Sequence, residues 1–294
     1  MTGPGAQRDP RTDSAPRRDG SPDVESRVVV HSQATVPERP TRVLVTNDDG
    51  VDSPGIAHLA SALATAFDVT VAAPSEDWSG AGTSIGRFDP HAGIPMRPVD
   101  LGGPRAFAID GPPGLAVLAG ALGAFGEPFD MVVSGINAGI NTGHSVIHSG
   151  TVGAALTART FGAHGVAVSL VPSDPWHWET AAALALAAAR WVTADAREPT
   201  TLSINVPSVP LPQVRGLHCA DLSDFGYFRV AFANEGAAKL EFEVLSDTDL
   251  APEGSDTWCL AQGYATITAL GAVTSVAAAL PDDMAAIWSP HPDR

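Results

Sequence analysis

Short apolar runs alternate with amphipathic stretches along most of the chain. The first run, "RVLVT" at 42–46, is continuously apolar, as in a strand covered on both faces. In the next segment Ile56, Leu59 and Leu63 repeat at helical spacing, and "DVTVAAP" at 68–74 is a second strand. This βαβ unit predicts parallel strands joined by a right-handed crossover.

Two helix starts are marked by a capping residue followed by proline. Ser53 is predicted to cap the first helix with Pro54 at its first position. Asp174 and Pro175 are predicted to begin a long helix through "DPWHWETAAALALAAARWVTA".

The alternation continues through the middle of the chain. Helices are predicted in "PPGLAVLAGALGAF" and "TVGAALTARTFG", and buried strands in "FDMVVSG", "GVAVSL" and "TLSINVP". "PMRPVD" and "RAFAID" are typical of two edge strands around a "GGP" turn. We therefore predict an α/β fold with a doubly wound, mostly parallel sheet.

The two ends of the chain differ from this pattern. Residues 1–40 are rich in Pro, Arg, Asp and Ser and are predicted to be a disordered extension before an α/β domain at 41–280. Within that domain, about 208–280 is predicted to form β-hairpins ("FGYFRVAFAN", "AKLEFEVLS", "WCLAQGYATITAL"). Such arms often make subunit contacts because isolated hairpins are marginally stable. Residues 281–294 are predicted to be a loose tail.

Composition restricts the classes of partner. The formal net charge of −16 argues against duplex nucleic acid, which is bound through basic patches. No apolar run is long enough to span a bilayer. Cys219 and Cys259 are too far apart to indicate a disulfide framework or a zinc site. The N-terminal segment lacks the apolar region of a secretory signal, so a cytoplasmic enzyme is expected.

Polar residues follow the first two strands, at the sheet edge where α/β proteins bind ligands. Asn47, Asp48, Asp49 and Gly50 come directly after the first strand, and Ser79 lies in "PSEDWSGAGTS" after the second. Adjacent carboxylates repel each other and burial raises the cost of ionising them. A positive group is therefore expected beside them.

A third loop, "SGINAGINTGHSVIHSGT", follows the strand "FDMVVSG". Asn137 and Asn141 offer amide oxygens. Ser149, Gly150 and Thr151 lie where a helix begins, and the free amides and dipole of a helix start favour an anion.

Together these loops predict a metal and phosphate site. Asp48 and Asp49 supply hard oxygen ligands, and Ser79 and Asn137 supply neutral ones, a set that suits Mg²⁺ or Mn²⁺. A phosphate on that metal would meet residues 149–151, which is a phosphatase arrangement. Taken singly, the "DDG" motif is as typical of a solvated turn as of a ligand site. A Gly-rich loop taken singly is typical of any tight turn.

Four motifs carry a resemblance to a known family. "VTNDDGVDSPGI", "VAAPSEDWSGAGTS", "FDMVVSGINAGINTG" and "SGTVGAA", in this order, resemble the SurE family of metal-dependent phosphatases, the 5′/3′-nucleotidases once called survival proteins. The resemblance runs from residue 42 to about 270 and includes "INVP" and "GYATITAL".

The resemblance implies a Rossmann-like core and a C-terminal arm exchanged between the subunits of a homodimer or homotetramer. It implies a phosphoric monoester hydrolase that acts on nucleoside 5′/3′-monophosphates with one divalent metal ion. The matching metal ligands are Asp48, Asp49, Ser79 and Asn137. The predicted substrate and phosphate contacts are Asn47, Gly50, Asn141, Ser149, Gly150 and Thr151, and the predicted catalytic residues are Asp48, Asp49, Asn137 and His148. The nucleophile is either a water on the metal or the Asp48 carboxylate.

Several positions depart from the family pattern. Leu115 replaces an acidic residue, Ser145 replaces the usual Asp, and His148 replaces the usual Tyr. The Glu-Gly expected after "GTVGAA" is absent, with Thr157 and Ala158 nearby. These changes indicate an altered pocket, so the substrate is a nucleotide or another small phosphorylated metabolite. His148 would bind phosphate or protonate the leaving oxygen, or else fill the space of the tyrosine. The alternative function is a non-catalytic protein that binds metal and a phosphorylated ligand.

Overall fold

The computed structural model describes residues 39–87, 89, 91–224, 228–232, 242–246, 251–271 and 273. The chain divides into two units, Met1–Arg39 and Pro40–Arg294. Only Arg39 of the first unit is described, so the disorder predicted for 1–40 falls almost wholly outside the described residues. The tail predicted for 281–294 falls outside them as well.

The described strands and helices follow each other in the predicted alternation. The strands are β1 (Arg42–Thr46), β2 (Asp68–Pro74), β3 (Met96–Val99), β4 (Arg105–Ile109), β5 (Met131–Asn137), β6 (His164–Leu170), β7 (Thr201–Val206), β8 (Leu217–Cys219), β9 (Phe228–Phe232), β10 (Phe242–Ser246) and β11 (Ala265–Leu270). The α-helices are α1 (Pro54–Leu63), α2 (Pro113–Ala121), α3 (Gly150–Thr160), α4 (Trp178–Asp195) and α5 (Asp256–Ala261). Two 3₁₀ helices are η1 (Gly143–His148) and η2 (Leu211–Gln213).

Nine strands form one sheet in the order β3-β4-β2-β1-β5-β6-β7-β11-β8. The six adjacent strands β4, β2, β1, β5, β6 and β7 pair in parallel. Strand β3 runs antiparallel to β4, and β11 runs antiparallel to β7. Helices α1 and α4 pack together on one face, and α2 and α3 pack together on the other. This is the predicted doubly wound α/β fold, and it brings the ends of β1, β2, β5 and β6 to one edge.

Two details of the sheet differ from the prediction. The segment "RAFAID" is not an edge strand, because β4 pairs with β2 as well as with β3. The segment "WCLAQ" is helical instead of strand-like, because the Ser255 hydroxyl accepts a hydrogen bond from the Trp258 amide and caps α5.

Both predicted helix caps also need correction. Ser53 has the N-cap position of α1, but its hydroxyl accepts from Asn47 Nδ2 instead of a helix amide. Helix α4 begins at Trp178 and not at Pro175. The Ser208 hydroxyl accepts the His177 amide, and such side-chain bonds compete with the helix for backbone groups.

The segment predicted as a hairpin arm contributes to two sheets. Strands β9 and β10 form a separate antiparallel pair, as predicted for a hairpin. Strands β8 and β11 instead join the main sheet. Within the described part of the chain, none of the helices combines the length and apolar character needed to cross a membrane.

Candidate active site

The carboxylate of Asp48 lies at the N-terminus of α3. Its side chain is 3% exposed. Oδ2 accepts the Thr151 amide at 3.1 Å, and Oδ1 accepts the Thr151 hydroxyl. Ser149 is the N-cap of α3, and its hydroxyl accepts the Val152 amide. The helix start predicted to hold an anion thus holds the first carboxylate of the site.

The two aspartates differ in their surroundings. Burial raises the pKa of Asp48, against the opposing effect of the hydrogen bonds from Thr151. Burial also raises the pKa of Asp49 to about 6, the Ala138 amide opposes that rise, and repulsion from Asp48 and Asp77 adds to it. Among the described residues, neither carboxylate has a Lys or Arg within ion-pair distance.

Asn137 is brought to the site by an irregularity in β5. The pairing of β5 with β6 shifts register between Ser134 and Asn137, and such shifts re-aim a side chain. Gly135 lies inside the shift at φ +133°, and a Cβ there would be 2.3 Å from the Val168 carbonyl oxygen. Asn137 Nδ2 donates to the Gly139 carbonyl, which leaves Oδ1 at 3.5 Å from the Thr151 hydroxyl.

The second loop packs against this cluster through its backbone. The Trp78 amide donates to the Asp48 carbonyl at 2.8 Å, and the Gly82 amide donates to the His148 carbonyl at 3.1 Å. Ser79 itself is exposed, and its amide binds Asp77 Oδ1 at 2.7 Å. Hydrogen bonds from Ser79 hold the pKa of Asp77 below its usual value. The structure therefore places Ser79 on the neighbouring loop, bonded to Asp77.

Asn47 and Gly50 shape the first loop. Asn47 is fully buried, and its Nδ2 donates to the Gly50 carbonyl and to the Ser53 hydroxyl. Gly50 has φ +98°, a conformation that L-residues rarely adopt. Both residues hold the turn that presents Asp48 and Asp49.

Asn141 is engaged with the ends of two further strands. Its Nδ2 donates to the Ser169 hydroxyl at 2.8 Å, while its amide and carbonyl both bond to the Asn205 side chain. In this structure Asn141 anchors the third loop.

The departures from the family pattern fall into two groups. Leu115 and Ala158 are buried in one apolar cluster with other residues of α2 and α3, so they contribute to core packing. Thr157 is half-buried in α3, where its hydroxyl donates to the Gly153 carbonyl. Ser145 and His148 are exposed on η1, directly before the anion turn. Ser145 and His148 are therefore the two departures that lie beside the candidate site.

Three functional candidates were missed by the sequence analysis. Asp77 adds a third negative charge beside Asp49, and its position in "SEDWSG" was a usable signal. Asn205 and Asp256 bind the third loop from distant segments, and no local pattern marks them.

The donor set fits a divalent cation. Asp48 and Asn137 oxygens meet at the Thr151 hydroxyl, and the Asp49 carboxylate accepts the amide of Ala138, the residue after Asn137. No described Lys or Arg lies within ion-pair distance to balance the charge. All-oxygen sets of this kind suit hard cations. Across the described residues, no group of three or more His, Cys, Asp or Glu is placed to hold a metal ion, so neutral oxygens such as that of Asn137 would have to complete this site.

The raised pKa of Asp49 predicts the pH dependence of the metal-free protein. Because the folded carboxyl binds a proton more tightly than the unfolded one, the free energy of unfolding should fall as pH rises from about 4 to above 6. Asp49→Asn should reduce this fall, since it removes the titrating group. Urea unfolding in EDTA at pH 4.5 and pH 7.0 measures both slopes.

The matched control is Asp52→Asn, an exposed aspartate of the same loop. It should retain the pH dependence of the natural protein. Equal pH dependence in Asp49→Asn and the natural protein would contradict the electrostatic description of this site.

Known proteins resemble this chain over most of its length. The family model described as "Survival protein SurE" matches residues 43–228. A 5′-nucleotidase SurE of Legionella pneumophila is 41% identical over 182 residues, covering 62% of this chain and 70% of the relative. A 5′-nucleotidase SurE of Pseudomonas entomophila is 38% identical over 239 residues, covering 78% and 91%. The crystal structure of the SurE protein from Aquifex aeolicus superposes with a TM-score of 0.66 at 30% identity, covering 78% of this chain and 92% of that one.

Proposed function

The chain belongs to the SurE family, and on that premise we propose that it is a metal-dependent phosphatase that hydrolyses nucleoside 5′- or 3′-monophosphates. The observation that carries the proposal is the cluster of three oxygen donors at this edge of the sheet. Asp48 and Asn137 oxygens meet at the Thr151 hydroxyl, and Asp49 accepts the amide of Ala138, next to Asn137. The relatives named as 5′-nucleotidases support the choice of substrate class.

Asp48, Asp49 and Asn137 are proposed to hold one Mg²⁺ or Mn²⁺ ion, with Ser79 as a further ligand from the second loop. A divalent cation at this position supplies Lewis acidity to a phosphoryl oxygen and a template for the ester. Thr151 holds Asp48 in place through its amide and hydroxyl. Ser149, Gly150 and Thr151 are proposed to lie against the bound phosphate, because the N-terminus of a helix favours negative charge. Asn47, Gly50 and Asn141 act by shaping the loops around the phosphate.

The nucleophile is either water or the Asp48 carboxylate. Attack by Asp48 would form an aspartyl phosphate, which acid quenching and mass spectrometry of the intact protein would detect. His148, exposed at the end of η1, is proposed to protonate the leaving oxygen or to bind the phosphate. His148→Gln should then lower kcat, and an unchanged pH–rate profile would contradict this role.

The function is tested by phosphate release from p-nitrophenyl phosphate and a panel of nucleoside monophosphates. The assay compares Mg²⁺, Mn²⁺ and EDTA, with Asp49→Ala in parallel. Metal-dependent hydrolysis of AMP or GMP that is lost in Asp49→Ala is the expected result.

Two other outcomes have defined meanings. Hydrolysis of the aryl phosphate without nucleotide turnover would favour a specialised phosphorylated metabolite, as the exposed Ser145 and His148 suggest. No release from any ester would contradict the proposal and favour the non-catalytic alternative, which metal and phosphate titration would then test. The cytoplasmic location stays a prediction.

We also propose that the protein is a homodimer or homotetramer. A mostly apolar cavity of about 620 Å³ lies between α4 and the strands β7, β8 and β11. Trp191 and Leu217 line it and are half exposed, and exposed apolar patches often mark subunit contacts. Size-exclusion chromatography with light scattering should give two or four times the chain mass, and a monomer mass would contradict the proposal.

A further inference from the structure

The third loop connects the two halves of the candidate site. Asn137 stands at its start, and the Ser149–Thr151 turn that binds Asp48 stands at its end. Between them lie residues 138–148, which include η1. The position of this connection sets how the two ends meet.

The first anchor of this loop is Asn205, near the end of β7. Its side chain is 1% exposed. Oδ1 accepts the Asn141 amide and Nδ2 donates to the Asn141 carbonyl, both at 2.8 Å. The amide side chain therefore pairs with the loop backbone as a neighbouring strand would.

The second anchor is Asp256, at the first turn of α5. Its side chain is completely buried. Oδ2 accepts the Gly143 amide at 2.8 Å, and Oδ1 accepts the amides of Ser223 and Thr257 at 2.9 and 2.7 Å. The His144 amide in turn donates to the Ser223 carbonyl at 3.1 Å.

No described Lys or Arg lies within ion-pair distance of Asp256. Amides from separate segments of the chain therefore stabilise its charge. A buried carboxylate is costly unless it is satisfied in this way. Neither Asn205 nor Asp256 contacts the reacting groups in the structure, so any effect on catalysis passes through the loop.

We propose that Asn205 and Asp256 are positioning residues for phosphoryl transfer. This inference rests on the proposed function. Asn205 and Asp256 hold residues 141–144 in place, so that Asn137 and the Ser149–Thr151 turn meet at Asp48. Supporting partners of this kind typically contribute 10- to 100-fold to metal affinity or activity.

The test uses isosteric variants of the full chain. In Asp256→Asn, one carboxylate oxygen becomes an amino group, so the side chain can no longer accept from all its amide donors. In Asn205→Asp, an oxygen replaces the donor that faces the Asn141 carbonyl. The matched control is Asp221→Asn, an exposed aspartate near Ser223. Measurements are kcat and KM, the Kd for Mn²⁺, and hydrogen exchange of peptides covering 138–149.

Both variants should lower kcat about 10- to 100-fold with little change in KM, and exchange should become faster at 138–149 while α4 keeps its protection. The control should match the natural protein. An unchanged kcat in both variants would overturn the proposal, whether or not exchange at 138–149 becomes faster.

A further measurement needs no variant, so its result does not depend on whether a variant folds. In the natural protein, the amides of Asn141, Gly143 and His144 should exchange as slowly as those of the core strands, because each is hydrogen-bonded in the structure. Fast exchange there would overturn the proposal. Failure of the proposed function would instead be seen as absent hydrolysis by the natural protein, and Mn²⁺ affinity would then report whether the anchors position the site.

Discussion

Asp48→Asn is expected to lower kcat/KM for phosphomonoester hydrolysis by about 10³-fold or more. The substitution keeps the size of the side chain but removes the charge that attracts a cation. It also replaces one oxygen acceptor of Thr151 by an amino group. Stabilisation by a catalytic metal amounts to several kcal/mol, and about 4 kcal/mol corresponds to that factor in rate.

Loss of activity in Asp48→Asn should occur without loss of folding. Burial raises the pKa of Asp48, so the folded protein carries a cost for its ionised form that asparagine does not have. The metal-free variant should therefore resist urea at pH 7 at least as well as the natural protein. Steady-state kinetics beside Asp52→Asn, together with urea unfolding, measures both effects, and retained activity would refute the site.

Gly150→Ala is expected to lower kcat about 10²-fold. A Cβ at position 150 would lie 2.8 Å from the Asp48 Cβ and Oδ2, so the carboxylate would have to move. Displacement of a reacting group by about 1 Å costs on the order of 10²-fold in rate. Alanine is a better helix former than glycine, so helix propensity does not explain a loss.

Gly103→Ala is the matched control for Gly150→Ala, because a Cβ at Gly103 meets nothing within 4 Å. It should retain the natural kcat. Mn²⁺ titration of Gly150→Ala should show weakened binding if Asp48 has moved. Natural kcat and Mn²⁺ affinity in Gly150→Ala would contradict the description of Asp48 as held against the start of α3.

Much of the fold was predictable because it depends on neighbouring residues. The period of apolar residues identifies β1, α1 and β2 from sequence alone. Their order predicts parallel pairing, because the helix carries the chain back to the edge of the sheet where the first strand began, and the second strand then runs in the same direction. The predicted start of α4 was wrong because the hydroxyl of Ser208, 31 residues along the chain, accepts the amide of His177, directly before the helix.

The site was predictable to a similar extent. Covalent adjacency places Asp48 and Asp49 together, and the carboxyl ends of parallel strands such as β1 and β5 lie at the same edge of a sheet. Sequence motifs therefore identified the loops. The assignment of Asn141 to the substrate stays a prediction; in the structure its side chain bonds to Ser169 and its backbone to Asn205.

The sequence by itself determined the family, the order of strands and helices, and the loops that carry the acidic and amide oxygens. Only the tertiary structure decided that Asp48 lies against Thr151, 103 residues away, and that Asp256 binds Gly143 across 113 residues. Such contacts depend on how the finished sheet brings distant segments together. Local periodicity and motif spacing describe neighbours along the chain, so they identify the loops at one sheet edge but not which buried polar groups of those loops bond to each other.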